Sequence, residues 1–370
     1  MVRVSWDQVF AWRLRRQFVE PHADGGAVQV AERLCGVQAQ VTSAAELAVA
    51  LRQRVPEPGA VVSALNEGRL IKTWAMRGTL HAMTPHLAVA YLSLIASART
   101  WEKPVWQRNF GATPGQVSAL ADAVRELLAA TELTREELVT ELAAEPDFAG
   151  LAEQLRSGWG ALLKPLAWQG ALCHGPARGN KITFTSPARM VAEWPVLPDP
   201  DQAAATAITA YLGAYGPATP EAFDAWLTRG AHRKTTVRRW FAELGDALTE
   251  VEVEGRRGYL CSEHVAELAA AEPARSVHLL GGFDQYVLGP GTGDTELLPA
   301  AHRSAVSRTA GWIAPIVVVD GRIAGTWELS GESVVVDMFD PSAQPGADLI
   351  AAADRTSAAI GADIRLVRAE

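Results

Sequence analysis

Apolar residues in this chain recur first at helical spacing and then at strand spacing, and the alternation repeats. The pattern is clearest between Pro114 and Phe184. Pro114 to Ala130 carries apolar positions at a period near that of an α-helix, which predicts one amphipathic helix. Leu133-Thr134-Arg135-Glu136-Glu137-Leu138 predicts a second, with Thr134 as its cap and Glu137 three residues on. Gly158 to Trp168 predicts a third. Ala171 to His174 and Lys181 to Phe184 then read as two strands about the turn Gly175-Pro176-Ala177-Arg178-Gly179-Asn180.

The same grammar returns in register. Ala203 to Tyr215 predicts a helix, Thr219 with Pro220 starts a second, and Thr235 to Leu244 predicts a third. Leu248 to Val253 and Gly258 to Cys261 form a hairpin around Glu254-Gly255-Arg256-Arg257. Trp159–Ser186 and Val237–His264 are equally long, the mark of an internal repeat. A looser copy precedes them. Val28 to Val37, Ser43 to Arg52 and Gly59 to Glu67 predict helices, and Leu70 to Met76 with Gly78 to Met83 a hairpin. Three helices and a hairpin make a winged helix, whose third helix can enter a DNA groove. After about residue 275 the pattern turns to strands: Val277 to Leu280, Ile316 to Val319, Arg322 to Glu328 and Ser333 to Phe339. Asp320-Gly321 marks a tight hairpin turn. A helix from Asp348 to Ile360 and a strand from Asp363 to Val367 close the chain. The expected class is α+β. Three tandem winged-helix units span 1–110, 111–200 and 201–275. A β-rich subdomain, with a small barrel as one arrangement, spans 276–370 and packs on the third unit.

Charge changes this picture. The net charge is -8, yet residues 1–110 carry +5 and the following units -4, -3 and -6. A positive lobe on an acidic chain can attract a polyanion while the remainder limits nonspecific adhesion. Cys35, Cys173 and Cys261 lack thiolate zinc spacing and fit a reducing cytoplasm. No apolar run of 18 residues occurs, and Met1 to Arg16 has no signal-peptide core, so neither a membrane span nor secretion is expected. The eight histidines form no metal-ligand pair at helical spacing, and Gly289-x-Gly291-x-Gly293 lacks a following helix. No metal and no cofactor are expected.

Several short segments carry a likeness. They are Val37-Gln38-Ala39-Gln40, Arg77-Gly78-Thr79-Leu80-His81, Phe283-Asp284-Gln285-Tyr286, and Val319-Asp320-Gly321-Arg322 with Gly325-Thr326-Trp327. In kind and order they resemble the bacterial winged-helix DNA glycosylases, the family whose AlkZ branch unhooks azinomycin interstrand crosslinks. The resemblance implies three winged helices in a C-shape around a basic channel. It also implies a Gln-x-Gln catalytic motif, here Gln38 and Gln40. A sister group carries Gln-x-Asp, so Gln40 places the chain nearer the AlkZ side.

Two amides suit that chemistry. A purine alkylated at the seven position is already cationic and leaves without a general acid. The enzyme then has to hold a water and stabilise a sugar cation. A glutamine carbonyl accepts from water and its amide donates to phosphate or base. Residues i and i+2 share a side only where the backbone is extended or at a helix end, so irregular backbone is expected near Gly36 to Val41. Without the resemblance, Gln38 and Gln40 would read as ordinary polar residues at a helix end.

Trp12, Arg13, Arg15 and Arg16 mix a ring with cations on the first helix, suited either to DNA or to a surface helix with Trp12 in the core. Arg77 and His81 lie on the first hairpin, Arg178 and Lys181 on the second, Arg256 and Arg257 on the third. Phosphate contact and solvated loop charge are the two readings of the wing cations, while His81 could orient a phosphate or a neutral base or be structural. Asp320, Gly321 and Arg322 form a hairpin tip that could enter a minor groove. Asp284 reads as a scaffold residue that caps backbone amides. Three functions stay open on the residues. One is a monofunctional glycosylase acting as a monomer on damaged double-stranded DNA, with no lysine beside the motif. The others are a noncatalytic winged-helix DNA-binding regulator and a protein-interaction scaffold.

Overall fold

The computed structural model describes residues 2–342 and 346–368. Met1, residues 343–345 and residues 369–370 belong to the predicted first and last units but lie outside the described residues. The chain opens with strand β1 (Val2–Val4) and helix α1 (Trp6–Arg16). Ser5 caps α1 through reciprocal bonds with Gln8, which fixes where the helix begins. Then come α2 (Ala27–Arg33), β2 (Val37–Gln38), α3 (Thr42–Ala50), α4 (Ala60–Asn66), and a hairpin of β3 (Ile71–Trp74) and β4 (Leu80–Met83).

The predicted helix from Val28 to Val37 is shorter than expected and gives way to a strand. Cys35 and Gly36 take left-handed backbone, at φ 58° and 96°, which ends α2. Position 36 has to be glycine, since a Cβ there would lie 2.4 Å from Met83 Cγ. The chain therefore steps onto the edge of β4. Val37 pairs with Ala82, and Gln38 with His81.

Helices α5 (Pro85–Ser97) and α6 (Pro104–Phe110) fill a stretch where the sequence pattern shows no element. Buried residues run from Leu87 to Ile95 of α5, so it lacks the polar face that betrays an amphipathic helix. The next segment follows its pattern more closely. It holds α7 (Pro114–Leu128), β5 (Leu133–Thr134), α8 (Arg135–Ala143), α9 (Leu163–Trp168), β6 (Cys173–His174) and β7 (Thr183–Thr185). Thr134 and Glu137 form the predicted reciprocal cap. The third segment holds α10 (Pro200–Tyr215), α11 (Pro220–Thr228), α12 (Lys234–Glu243), β8 (Leu248–Val253) and β9 (Arg256–Cys261), with Thr219 capping α11.

The hairpins do not stand alone. The first two join edge to edge where Lys72 meets His174, giving one six-stranded sheet in the order β2-β4-β3-β6-β7-β5. β1 pairs in parallel with β8, so the N-terminus completes the third hairpin's sheet. The last segment forms a sheet of β10 (Val277–Leu280), β11 (Ile316–Val319), β12 (Arg322–Ser330), β13 (Ser333–Met338) and β14 (Arg365–Arg368), with helix α13 (Gly346–Ile360). Its strands run in the order of the chain and do not close, so this is an open sheet rather than a barrel. It packs on α1 and on the first segment. Arg355 of α13 bonds the Leu51 and Gln53 carbonyls. Arg52 grips Asp284 through two bonds of 2.8 and 2.7 Å, both side chains wholly buried. Asp284 also caps the Tyr286 amide, as its expected scaffold role requires. No helix among the described residues is long and apolar enough to cross a membrane.

Candidate active site

The step from α2 onto β4 gives the Gln-x-Gln segment its geometry. Val37 and Gln38 are strand, and Val41 is still extended before α3 begins. Extended backbone sends side chains two apart to one side. The strand ends at Gln38 and the chain bends at Gln40 and Val41, so the backbone is irregular across Gly36 to Val41, as expected. Gln38 is 7% exposed, while Gln40 is open to solvent. Gln40 Oε1 accepts from the Leu80 amide at 3.4 Å. The Gln38 amide has no hydrogen-bond partner within the protein among the described residues.

Behind Gln38 lies a polar row across the sheet. Gln38 faces His81 on β4, and His81 faces Thr73 on β3. His81 Nδ1 lies 3.1 Å from the Thr79 carbonyl, so that nitrogen carries the proton and Nε2 is a bare acceptor. Burial, then the nearby Arg77 charge, push the imidazole down to about 3, so it is neutral near pH 7. His81 Nε2 and Thr73 Oγ1 are both buried without a partner. His81 therefore cannot meet a phosphate, contrary to one sequence expectation. It can orient what lies behind Gln38.

The nearest acids in sequence are committed elsewhere. Glu32 takes the Thr84 hydroxyl, and Glu46 takes the Val61 and Val62 amides. A lysine does come close, which the sequence does not reveal. Lys72 Nζ reaches 3.4 Å from Thr42 Oγ1, just past the motif, because β3 lies beside β4. Burial lowers its ammonium below the ordinary value.

The expected DNA contacts divide sharply. Trp12 is fully buried and donates to Glu267 at 3.2 Å, so its ring is core and not a stacking platform. Arg13 points inward to the Gly216 carbonyl at 3.2 Å and to Asp294 at 3.6 Å. Arg16 donates to the Gly213 carbonyl at 2.8 Å. Arg77 donates to the Trp226 carbonyl at 3.1 Å and the Leu288 carbonyl at 3.5 Å. These arginines staple the N-terminal helix and the first hairpin to the third segment, so the DNA reading is corrected for Arg13 and Arg77. The 320–322 tip is also docked rather than free. Asp320 accepts from the Ser276 amide at 3.1 Å, and the Gly321 carbonyl accepts from Tyr286 at 2.6 Å. Arg322 pairs with Asp7 across the ring of Phe10.

Arg15, Lys181 and Arg257 remain exposed, Arg257 with Glu250 3.8 Å away. Arg178 is exposed but bonded to Glu137, and Arg256 to Glu296 at 2.8 Å. On α12, Arg238 and Arg239 pair with Glu221 and Asp201, while Lys234 and the preceding Arg233 form no ion pair among the described residues. Both lie just before the predicted third helix, Thr235 to Leu244, which is why the sequence reading passed over them.

One arrangement imitates a hydrolase. Ser97 Oγ lies 3.2 Å from His232 Nε2, and His232 Nδ1 lies 2.6 Å from Asp224. However, Nε2 also faces the Leu94 carbonyl at 2.9 Å. The Ser97 hydroxyl donates to that same Leu94 carbonyl at 2.7 Å, so it is not aimed at the imidazole as a nucleophile's would be. The trio ties α11 to α5. Among the described residues no three His, Cys, Asp or Glu side chains are grouped to hold a metal.

Comparison with known proteins bears on this site directly. A family profile described as DNA glycosylase AlkZ-like matches residues 31–362, which include both glutamines. A curated protein of Streptomyces sahachiroi, named interstrand DNA cross-link repair glycosylase, is 56% identical over 339 residues, 91% of each chain. The solved structure of Streptomyces sahachiroi DNA glycosylase AlkZ superposes with a TM-score of 0.97 at 52% identity, covering 100% of both chains. The family is enzymatic, which removes the noncatalytic regulator and the scaffold from consideration. This chain, a hydrolase of the DNA N-glycosylase type, belongs to the AlkZ-like DNA glycosylase family.

Proposed function

We propose that this glycosylase repairs interstrand crosslinks, azinomycin's among them, and releases bulky 7-alkylpurines, with Gln38 and Gln40 positioning the attacking water. The single observation that carries this reading is the Gln38–Gln40 segment at the end of a short edge strand, where the Gln38 side chain makes no hydrogen bond to the protein among the described residues and the neighbouring acids are already committed. The relative named for crosslink repair supports the substrate class.

The reaction needs little from the protein beyond placement. The bond from the sugar C1′ to the cationic purine breaks, and its electron pair neutralises the base. Water oxygen bonds C1′ and releases a proton to solvent. An amide carbonyl cannot take that proton, but it can fix the water by accepting one O–H bond. Neutral His81 behind Gln38 adds no positive charge against the forming sugar cation. We read the three helix-and-hairpin segments, 1–110, 111–200 and 201–275, as winged helices forming a C-shape around the duplex, with 276–370 as a brace. An open channel suits a crosslinked nucleotide, which stays tethered and cannot be flipped into a closed pocket. Exposed Arg15, Lys181 and Arg257 are our candidates to meet phosphates, and a monomer suffices.

Base release from a duplex carrying a 7-alkylguanine or an azinomycin crosslink tests this. Gln38→Ala/Gln40→Ala should lose about 100-fold or more in rate while folding and binding DNA normally. Undiminished release would discard the glutamines. Borohydride trapping that depends on Lys72 would overturn the monofunctional hydrolysis.

A further inference from the structure

The tip of the first hairpin, two residues from the Leu80 amide that bonds Gln40, borders a cavity of about 490 Å³ where the three helical segments meet; neither glutamine lines it. Arg77, Lys164 and Arg229 bring three cations to its lining, and no carboxylate lines it. Arg77 Nη2 is buried without a partner, although Nη1 is held by two carbonyls. Burial, then the Arg229 charge, hold the Lys164 ammonium below its ordinary range. Like charges gathered in this way cost free energy unless an anion joins them.

The remaining walls are aromatic. Trp106, Trp159 and Trp168 line the cavity, Trp159 with 77% of its surface exposed. Trp168 Nε1 is a second buried donor without a partner. Flat indole faces favour a flat π-system, and a guanidinium fork favours two anionic oxygens. The volume falls in the range of small-molecule sites.

We propose that this cavity binds a small aromatic anion, a flat ring system bearing one phosphate or carboxylate. Isothermal titration of the full chain with 2′-deoxyguanosine 5′-monophosphate and with indole-2-carboxylate separates a nucleotide from an aromatic acid as the source of that chemistry. At least one should bind saturably, and about tenfold more tightly than deoxyguanosine or indole without the acid group. Lys164→Glu and Arg229→Glu reverse charge at groups with no other ion pair among the described residues. Each should weaken binding about tenfold or more at an unchanged melting temperature. Arg77 is unsuited to the test because it also supports the fold. Failure of both probes at millimolar concentration, or equal binding of the neutral analogues, would overturn the proposal. So would competitive displacement of the probe by undamaged duplex, which would assign the cavity to the DNA path.

Discussion

At the scale of the residue, the backbone step that carries Gln38 and Gln40 was legible, whereas the carbonyls that hold Arg13 and Arg77 were not. The Gln-x-Gln segment announces itself through local geometry, since Gly36 ends the helix wherever the rest of the chain lies. Arg13 depends on what α1 packs against. Its position continues the buried stripe Trp6, Val9, Phe10, so helical spacing already marked it for the inside. The buried histidines permit a prediction with a definite sign. Burial, with Arg77 beside His81 and with Lys72 and Arg135 beside His174, pushes both imidazoles down to about 3. Unfolding returns them to about 6.5, so the unfolded chain binds more protons between these values. Stability is complete above about pH 6.5 and falls as pH falls toward 3, by up to about 1.4 kcal/mol per pH unit for each histidine. Denaturant melts at pH 7, 6 and 5 should show this slope, and His174→Gln should flatten it. Parallel curves for the two proteins would show that His174 is already protonated in the fold. The Arg52–Asp284 pair gives a second test. Arg52→Met leaves a wholly buried carboxylate uncompensated and should cost about 3–5 kcal/mol. Adding Asp284→Leu should recover part of that loss, whereas simple packing damage would leave the double variant worse.

At the scale of the element, the turn at Asp320-Gly321 was readable but its destination was not. A two-residue turn is written in its own dipeptide, while the surface it lands on lies more than 300 residues earlier. Gly321 has φ 82°, and a Cβ there would come within 2.5 Å of Phe10 Cβ. Gly321→Ala should therefore destabilise the protein by about 1–3 kcal/mol through strain and collision. Arg322 is half-exposed on an ion pair with Asp7, so Arg322→Ala should change stability by less than about 1 kcal/mol. Neither change should alter DNA affinity beyond what lost folding explains. A large affinity loss in folded Arg322→Ala would return this tip to the DNA interface. The same limit hid α5. An almost wholly buried helix presents no polar face, so periodicity cannot mark it.

At the scale of the whole molecule, the alternation of helices and hairpins was readable because each element is written in its own local residues. The joins between copies were invisible because strand pairing at long range leaves no local trace. Lys72 and His174 fuse two hairpins, and β1 seals the third. The hydrophobic cores cross the same borders. One continuous cluster includes Cys35, Leu166 and Tyr215, and another includes Phe10, Val251 and Ala359. No predicted unit can melt without stripping apolar surface from its neighbours, at about 25 cal/mol per Å² exposed. Arginines that looked like a DNA-facing set supply part of the same cement, since Arg13 and Arg77 bond carbonyls of the third segment and the loop beyond it. Differential scanning calorimetry should therefore record one transition, with calorimetric and van't Hoff enthalpies equal. Deleting residues 1–5 removes β1 and the Ser5 cap together, and should lower that single transition rather than split off a melting third hairpin. Two resolved transitions in the intact chain would mean that the walls of the proposed channel unfold separately. The C-shape proposed for the duplex would then be a hinged arrangement rather than one rigid frame.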